Sequence, residues 1–339
     1  MEAFRAAGLF SMLVPASLGG GEMAPQDALA AIEAIAEADG AAAWCVMIGA
    51  TTGILSAYLD ESDAREIFRP GSISGGVYAP LGKGEATPGG WRVSGRWAFA
   101  SGCQHCDWLL GGALVESGPP RQMFFPASSV EIIDTWDVSG LMGTGSNDIA
   151  VRDLEVPRGR SVALTADNPR HPGPLFAFPV FGLLALGIAA VTLGIARGAI
   201  EDILELAAEK TPTGSRRKLA ERPLVQAQVA EAEATLSSAR AFVFEAVDRA
   251  WDAAGSGAVL DLRIRARLRL AATHATMASA RVVDLMYNAG GGTSIYRTSP
   301  LQRRFRDVHT ATQHVMVAPP TLEVAGRVLL GLETDVSAL

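Results

Sequence analysis

The chain has 339 residues, 49% of them hydrophobic and 19% charged, with a formal net charge of −7 at pH 7. That apolar fraction excludes a disordered chain, and the negative balance excludes a nucleic-acid binder, which needs clustered Lys and Arg. The run Arg263, Arg265, Arg267 and Arg269 is too local to reverse the sign and reads as a polar helix face or an intersubunit contact.

From Glu2 to about Arg69 the pattern is helical, with Ala28, Ala31, Ile32, Ile35 and Ala36 at helical spacing and Glu33 and Glu37 on the solvent side. Pro15 and Gly19-Gly20-Gly21 separate the first helix from the second. A further helix is expected over Ala41–Leu59, and another from Glu61-Ser62-Asp63, where Ser or Asp can cap it. Residues 1–70 thus read as a helical lobe.

At Gly71 the pattern changes to short apolar runs separated by Gly, Pro and Ser. Trp91 to Phe99 alternates large apolar with small or polar residues, Ser94-Gly95 being the turn signal. Strands are expected over Arg121–Phe125, Val130–Trp136 and Ile149–Val156, so residues 71–160 read as a β domain closed by Pro157 and Gly159. From Pro174 the helical period returns in four segments, Phe178–Glu209, Leu224–Ala254, Val259–Ala289 and Gln302–Leu330. Long helices joined by short turns indicate a four-helix bundle over residues 174–335.

Pro174 to Ala196 carries no charge and is long enough for a membrane span. A helix buried in the bundle or in an oligomer core is the preferred reading, because no Trp or Tyr anchors flank it and amphipathic helices follow. No membrane partner is expected. The start has no basic leader before an apolar run, and Cys45, Cys103 and Cys106 are an odd, sparse set, which fits a reducing cytoplasm. Cys103-Gln104-His105-Cys106 lacks the second ligand pair that zinc needs. On a strand its two thiols would also point to opposite faces, so no metal is expected. Gly290-Gly291-Gly292 follows no strand and is no dinucleotide fingerprint.

Four local sequences in this order resemble the acyl-CoA dehydrogenase fold family. They are Ala6-Ala7-Gly8-Leu9 with Val14-Pro15 to Gly20; Gly143-Thr144-Gly145-Ser146-Asn147-Asp148-Ile149 with Val156-Pro157; Gly194 to Ile200; and Ala289 to Gly292 followed by Leu301 to Asp307. The resemblance covers nearly the whole chain and implies a mainly α fold with a central β domain: N-terminal helical lobe, β barrel, C-terminal four-helix bundle. It further implies a homotetramer, for which the uncharged bundle helix would need cover. Members of the family usually carry another N-terminal helix before the matched segment; either the start of this sequence is truncated or misassigned, or that helix is dispensable here.

Within the family, dehydrogenation needs a carboxylate base opposite the flavin ring. The two positions that supply it are empty here: Ser161 to Ile200 contains no Glu, and no acidic residue lies between Thr310 and Leu322. Gln313-His314 stands at the second position and resembles the flavin-dependent monooxygenase branch (two-component phenol hydroxylases, dibenzothiophene monooxygenase, amino-sugar N-oxygenases). That resemblance makes His314 the catalytic candidate, orienting or deprotonating substrate or stabilising a C4a-(hydro)peroxyflavin; a hydrogen-bonded histidine closing the bundle is the alternative. A histidine near its ordinary pKa exchanges protons at working pH. His309, on one regular helix with His314, would point about 140° away.

Phe99-Ala100-Ser101-Gly102 also resembles the monooxygenase branch, with Ser101 as second catalytic candidate at the flavin; a serine opening a turn is the alternative. Arg216 or Arg217 would reach a flavin phosphate with charge-assisted hydrogen bonds, unless they are surface arginines, and Gly290, Gly291 and Gly292 would bring backbone N–H groups to the flavin. Thr52, Tyr78 and Gln313 are the substrate-binding candidates, Thr52 standing near where the branch often has a second His. The implied activity is oxygenation of a small aromatic or heteroatom-bearing substrate by reduced FMN or FAD, supplied by a separate flavin reductase. A dehydrogenase or oxidase with a displaced base, for which Glu323 is the nearest acid, and a catalytically silent binding subunit are the alternatives.

Overall fold

The computed structural model describes residues 1–257, 260–337 and 339. Its helices and strands run in the order α1 (Glu2–Ala6), α2 (Pro25–Ala38), α3 (Gly40–Gly53), α4 (Glu61–Ile67), β1 (Ser74–Thr87), β2 (Gly90–Trp97), β3 (Trp108–Val115), β4 (Arg121–Pro126), β5 (Glu131–Ile133), β6 (Asp148–Pro157) and β7 (Ser161–Val162). There follow α5 (Pro174–Ala177), α6 (Val180–Glu209), α7 (Pro223–Gly255), α8 (Leu262–Gly290), α9 (Pro300–Thr312) and α10 (Pro320–Leu329). The expected helix start at Val259 lies outside the described residues. The chain divides into two compact units, one of residues 1–24, 45–137 and 142–180, the other of residues 25–44, 138–141 and 181–339.

The first unit holds a mixed sheet of seven strands among the described residues, ordered β5-β6-β2-β1-β3-β4-β7. β1 and β3 pair in parallel and the other neighbours antiparallel. Trp97 is its keystone: the side chain is fully buried and its Nε1–H donates to the Gly112 carbonyl at 2.8 Å. Glycine occupies three positions against the indole, for a Cβ on Gly82, Gly95 or Gly111 would come within 2.4, 2.6 and 2.6 Å of the ring. That explains why Ser94-Gly95 is not the expected turn. β2 runs straight through it, with a register shift against β6 between Val93 and Gly95, and the chain reverses instead between Thr87 and Gly90, which pair across the hairpin. The expected strand Val130–Trp136 shortens to β5 because Thr135 and Trp136 give their N–H groups to the Asn147 carboxamide oxygen, both at 3.1 Å.

The second unit is built on α6, α7 and α8. Its uncharged helix is buried by the chain itself: 83% of the apolar window in α6 lies inside the protein, so α6 requires no oligomer to cover it. The segment Gly40–Tyr58 also meets the length and apolarity of a membrane span and is equally buried. A seam of small residues lets α2 reach the α6 backbone. A Cβ on Gly194 would lie 2.2 Å from the Glu33 carbonyl oxygen and 2.6 Å from the Ala36 Cβ, and one on Gly40 would lie 2.7 Å from Ile195. Gly198 makes room for the Arg304 guanidinium, which is buried and donates to Asp202 (3.0 Å) and the Ala36 carbonyl (3.3 Å). Asp307 accepts the Leu141 N–H at 2.6 Å, and burial raises its pKa.

The expected fourth helix, Gln302–Leu330, is two helices. α9 ends at Thr312, residues 313–319 are turns, and Pro320 stands in the first turn of α10; Pro319 and Pro320 lack the N–H groups that one continuous helix would need there. His314 stands in that break.

Candidate functional site

In the first unit, β2 ends on a turn held by hydrogen bonds to the loop 143–147. The Ala100 N–H donates to the Asn147 carbonyl (3.0 Å), and the Gly102 N–H to the Thr144 carbonyl (2.8 Å). This turn holds Phe99 in the left-handed region, φ 67°, with its side chain 70% exposed and edge-on to Trp136. A non-glycine residue pays for that backbone in strain, and such outliers gather where a ligand is gripped. Beneath it, three buried hydroxyls form a chain: Ser101 Oγ to Ser146 Oγ at 2.7 Å, and Ser146 Oγ to Thr144 Oγ1 at 2.7 Å. Ser146, Thr144 and Asn147 carry this geometry although they stood in the sequence only as letters of a motif.

Thr52 and Tyr78 are also in this unit. Thr51 returns its hydroxyl to the Met47 carbonyl at 2.7 Å, as a helical threonine does, but the fully buried Thr52 Oγ1 makes no such bond. The Tyr78 hydroxyl is likewise buried without a hydrogen bond of good geometry, and its pKa is raised by that burial. The Thr52 hydroxyl is close enough to oppose this rise. The two form a pair of underused polar groups.

The three cysteines lie in the same unit. Cys103–His105 is a turn of 3-10 helix, not a strand, and none of the three cysteines forms a disulfide. They donate to carbonyls: Cys45 to Thr144, Cys103 to Gly145 and Cys106 to Gly102. Burial raises the Cys106 pKa and leaves it a poor nucleophile. Among the described residues no three His, Cys, Asp or Glu converge as metal ligands.

In the second unit His314 follows the end of α9 and faces the Trp44 ring, centroids 5.8 Å apart. Its Nδ1 accepts the Met316 N–H at 3.2 Å, so in the neutral ring the proton sits on Nε2. The expected exchange of protons near neutrality fails: burial first, and the Arg269 charge second, push its pKa down to about 4. Arg269 is itself buried at 4% exposure, and burial takes its pKa to about 10. His309 is not on the same helical run. It belongs to α9, contacts Asp284 through Nε2 at 2.9 Å, and lies against Phe305. Gln313 is exposed and donates to Thr312 Oγ1 at 3.1 Å.

The low pKa of His314 fixes a sign. Between about 4 and 6.5 the unfolded chain binds a proton that the folded imidazole refuses. Stability is therefore expected to fall as pH drops through that window, and His314→Gln is expected to flatten the slope. Urea unfolding from pH 4 to pH 7 reads this directly; parallel slopes for the two proteins would contradict it.

The remaining candidates lie in the second unit, all but Gly290 at its surface. Arg216 and Arg217 are exposed in the loop after α6, Gly290 closes α8, and Gly291 and Gly292 are exposed, with open space where a Cβ would stand. Lys210, unnoticed in the sequence, ties the start of the arginine loop to this turn through a 2.7 Å bond to the Gly290 carbonyl.

An acyl-CoA dehydrogenase C-terminal domain model matches residues 186–319. The chain is 35% identical to indole-3-acetate monooxygenase of Pseudomonas putida, over 98% of this chain and 86% of that protein. It is 30% identical to the oxygenase component of the FADH2-dependent resorcinol hydroxylase of a Rhizobium species, over 98% and 87% of the two chains. The crystal structure of the HsaA monooxygenase from M. tuberculosis superposes with a TM-score of 0.93 at 27% identity, covering 100% of this chain and 91% of that one. Near-complete coverage at this identity accompanies the helical lobes and the central sheet. The chain belongs to the flavin-dependent monooxygenases of the acyl-CoA dehydrogenase fold.

Proposed function

We propose that the chain is the oxygenase component of a two-component system, receiving reduced FMN or FAD from a separate reductase by diffusion and oxygenating a small aromatic or heteroatom-bearing substrate. His314 carries this reading. A carbon-acid mechanism needs a base, whereas His314 is neutral at pH 7 with Nδ1 already engaged, and so offers Nε2–H as a hydrogen-bond donor. The rival base, Glu323, is exposed on α10, which deprives it of the dry surroundings that tune such a carboxylate.

The bound flavin supplies the oxygen-activating chemistry. The chain's residues fit such a group: Phe99 offers an exposed aromatic face on a strained turn, and Arg216 and Arg217 offer cations for its phosphate. The Ser101 hydroxyl, which shares a 2.7 Å hydrogen bond with Ser146, would contact the flavin ring. Thr52 and Tyr78 would meet a polar group of the substrate, and burial around them would exclude water. Exposed Ile295, Tyr296 and Leu330 in the second unit fit contacts between copies in a homotetramer, and cysteines without disulfides fit a reducing cytoplasm. Indole-3-acetate and resorcinol, named for two relatives, are the first substrates to try.

The test is stopped-flow absorbance of the protein mixed with reduced flavin and then with oxygenated buffer. A long-lived near-ultraviolet species ahead of oxidised flavin supports a monooxygenase. Direct reoxidation, together with copurifying flavin that an acyl-CoA bleaches, overturns it. Phe99→Gly is expected to raise stability by about 1 kcal/mol, as the left-handed penalty vanishes, while weakening flavin binding. A thermal melt and a flavin titration check both, and equal flavin affinity would remove Phe99 from the site.

A further inference from the structure

We infer that Arg269 and Met316 are positioning residues that hold the His314 ring with Nδ1 as acceptor and Nε2 as donor. The inference deepens the proposed function and rests on His314 meeting the substrate or flavin. Arg269 projects from α8, the long helix whose adjoining Leu268, Ala271 and Ala272 are fully buried, so its guanidinium starts from a rigid base. It engages Met316 at two points: Nη2 donates to the Met316 carbonyl at 2.9 Å, and Nη1 to the Met316 thioether at 3.7 Å. Met316 in turn gives its N–H to His314 Nδ1. The backbone is closed on the other side by the Val317 N–H donating to the His314 carbonyl at 3.0 Å.

A planar guanidinium holding a carbonyl and a side-chain sulfur of the same residue restricts its rotation, which an ammonium point charge does not. Fixing Met316 aims its N–H, and an N–H aimed at Nδ1 selects the tautomer and the ring plane. The same guanidinium opposes protonation of the ring by its charge. The other face of the ring meets Trp44, which is neutral. Arg269 therefore acts on His314 both through a peptide group and through its field. This matters chemically, because an imidazole with the opposite tautomer would present a lone pair at Nε2 and act as a base instead of a donor.

The two influences separate by substitution. Arg269→Gln removes the charge and the two-point hold, and Arg269→Lys keeps the charge alone. The readout is the side-chain 15N spectrum of histidine-labelled protein without flavin, with the His314 signals identified from their absence in His314→Gln. Wild type is expected to give one acceptor and one protonated nitrogen with no titration above pH 5. In Arg269→Gln the two shifts should move toward each other and the midpoint should rise by about one unit. In Arg269→Lys the shifts should converge while the midpoint stays low; should Arg269→Gln not fold, this variant carries the test. Unchanged His314 signals in the folded variants overturn the inference. Product formed per flavin oxidised should fall about tenfold in Arg269→Gln with little change in KM. Moved 15N signals with wild-type product yield would support the positioning but overturn the assignment of His314 to the reacting atoms.

Discussion

His314→Ala is expected to cut product formed per flavin oxidised by about 10²- to 10³-fold, the usual cost of deleting one preorganised donor at a reacting centre. Flavin should still be reoxidised, with the missing product replaced by hydrogen peroxide. The reason lies in the environment of the ring. A histidine with its ordinary pKa would be partly charged at pH 6.5, but this one is held neutral down to about pH 4. Its Nε2–H is therefore present across the working range, and its loss is not masked by titration. His314→Gln, which keeps an N–H donor, should recover part of the yield. Product and peroxide measured in the same reaction decide the matter, on a substrate that wild type turns over. An unchanged ratio in His314→Ala would remove His314 from the chemistry, leaving it the hydrogen-bonded residue of a helix break.

Trp97→Ala is expected to destabilise the chain by about 3–5 kcal/mol, at the upper end for a buried aromatic. Two causes add. The indole is enclosed by glycines at 82, 95 and 111, which have no side chains to collapse into the void. The Gly112 carbonyl, which accepts the indole N–H at 2.8 Å, would be left buried without that donor. Trp97→Phe retains most of the volume and loses the hydrogen bond, so about 1–2 kcal/mol is expected for it. Urea unfolding with unchanged slope would measure both; equal losses in the two variants would mean that the hydrogen bond, not the cavity, dominates.

The long helices were legible because burial follows the helical period along α7 from Val225 to Ala254, because α6 is apolar on every side, and because proline and glycine punctuate helix ends. Two places misled for the same reason, since local letters were outvoted by tertiary contact. Ser94-Gly95 has turn chemistry, but its glycine serves the face of Trp97. Residues 302–330 read as one helix, but α9 ends at Thr312 and a separate helix begins at Pro320.

Among the candidate residues, Ser101 and His314 could be named from motif resemblance, whereas their supports could not. Ser146 reaches Ser101 from a loop 45 residues away. Arg269 stood in a run of alternating arginines that reads as a polar face, and successive members of such a run point about 200° apart on a helix. Arg263 is exposed and Arg267 pairs with Glu245, while Arg269 is turned inward. Only the fold tells these apart.

The glycine seam between α2 and α6 behaves as a key in a keyway. A side chain at Gly194 meets the Glu33 carbonyl and the Ala36 methyl together, and Ala36 also presents its carbonyl to Arg304 beside Gly198. These positions cannot vary one at a time. A larger residue at 194 must push α2 aside, which disturbs the carbonyl on which Arg304 depends, and through Arg304 the ion pair with Asp202. Substitutions along the seam should therefore combine non-additively, and sequence drift in this part of the chain should proceed by paired changes across the two helices.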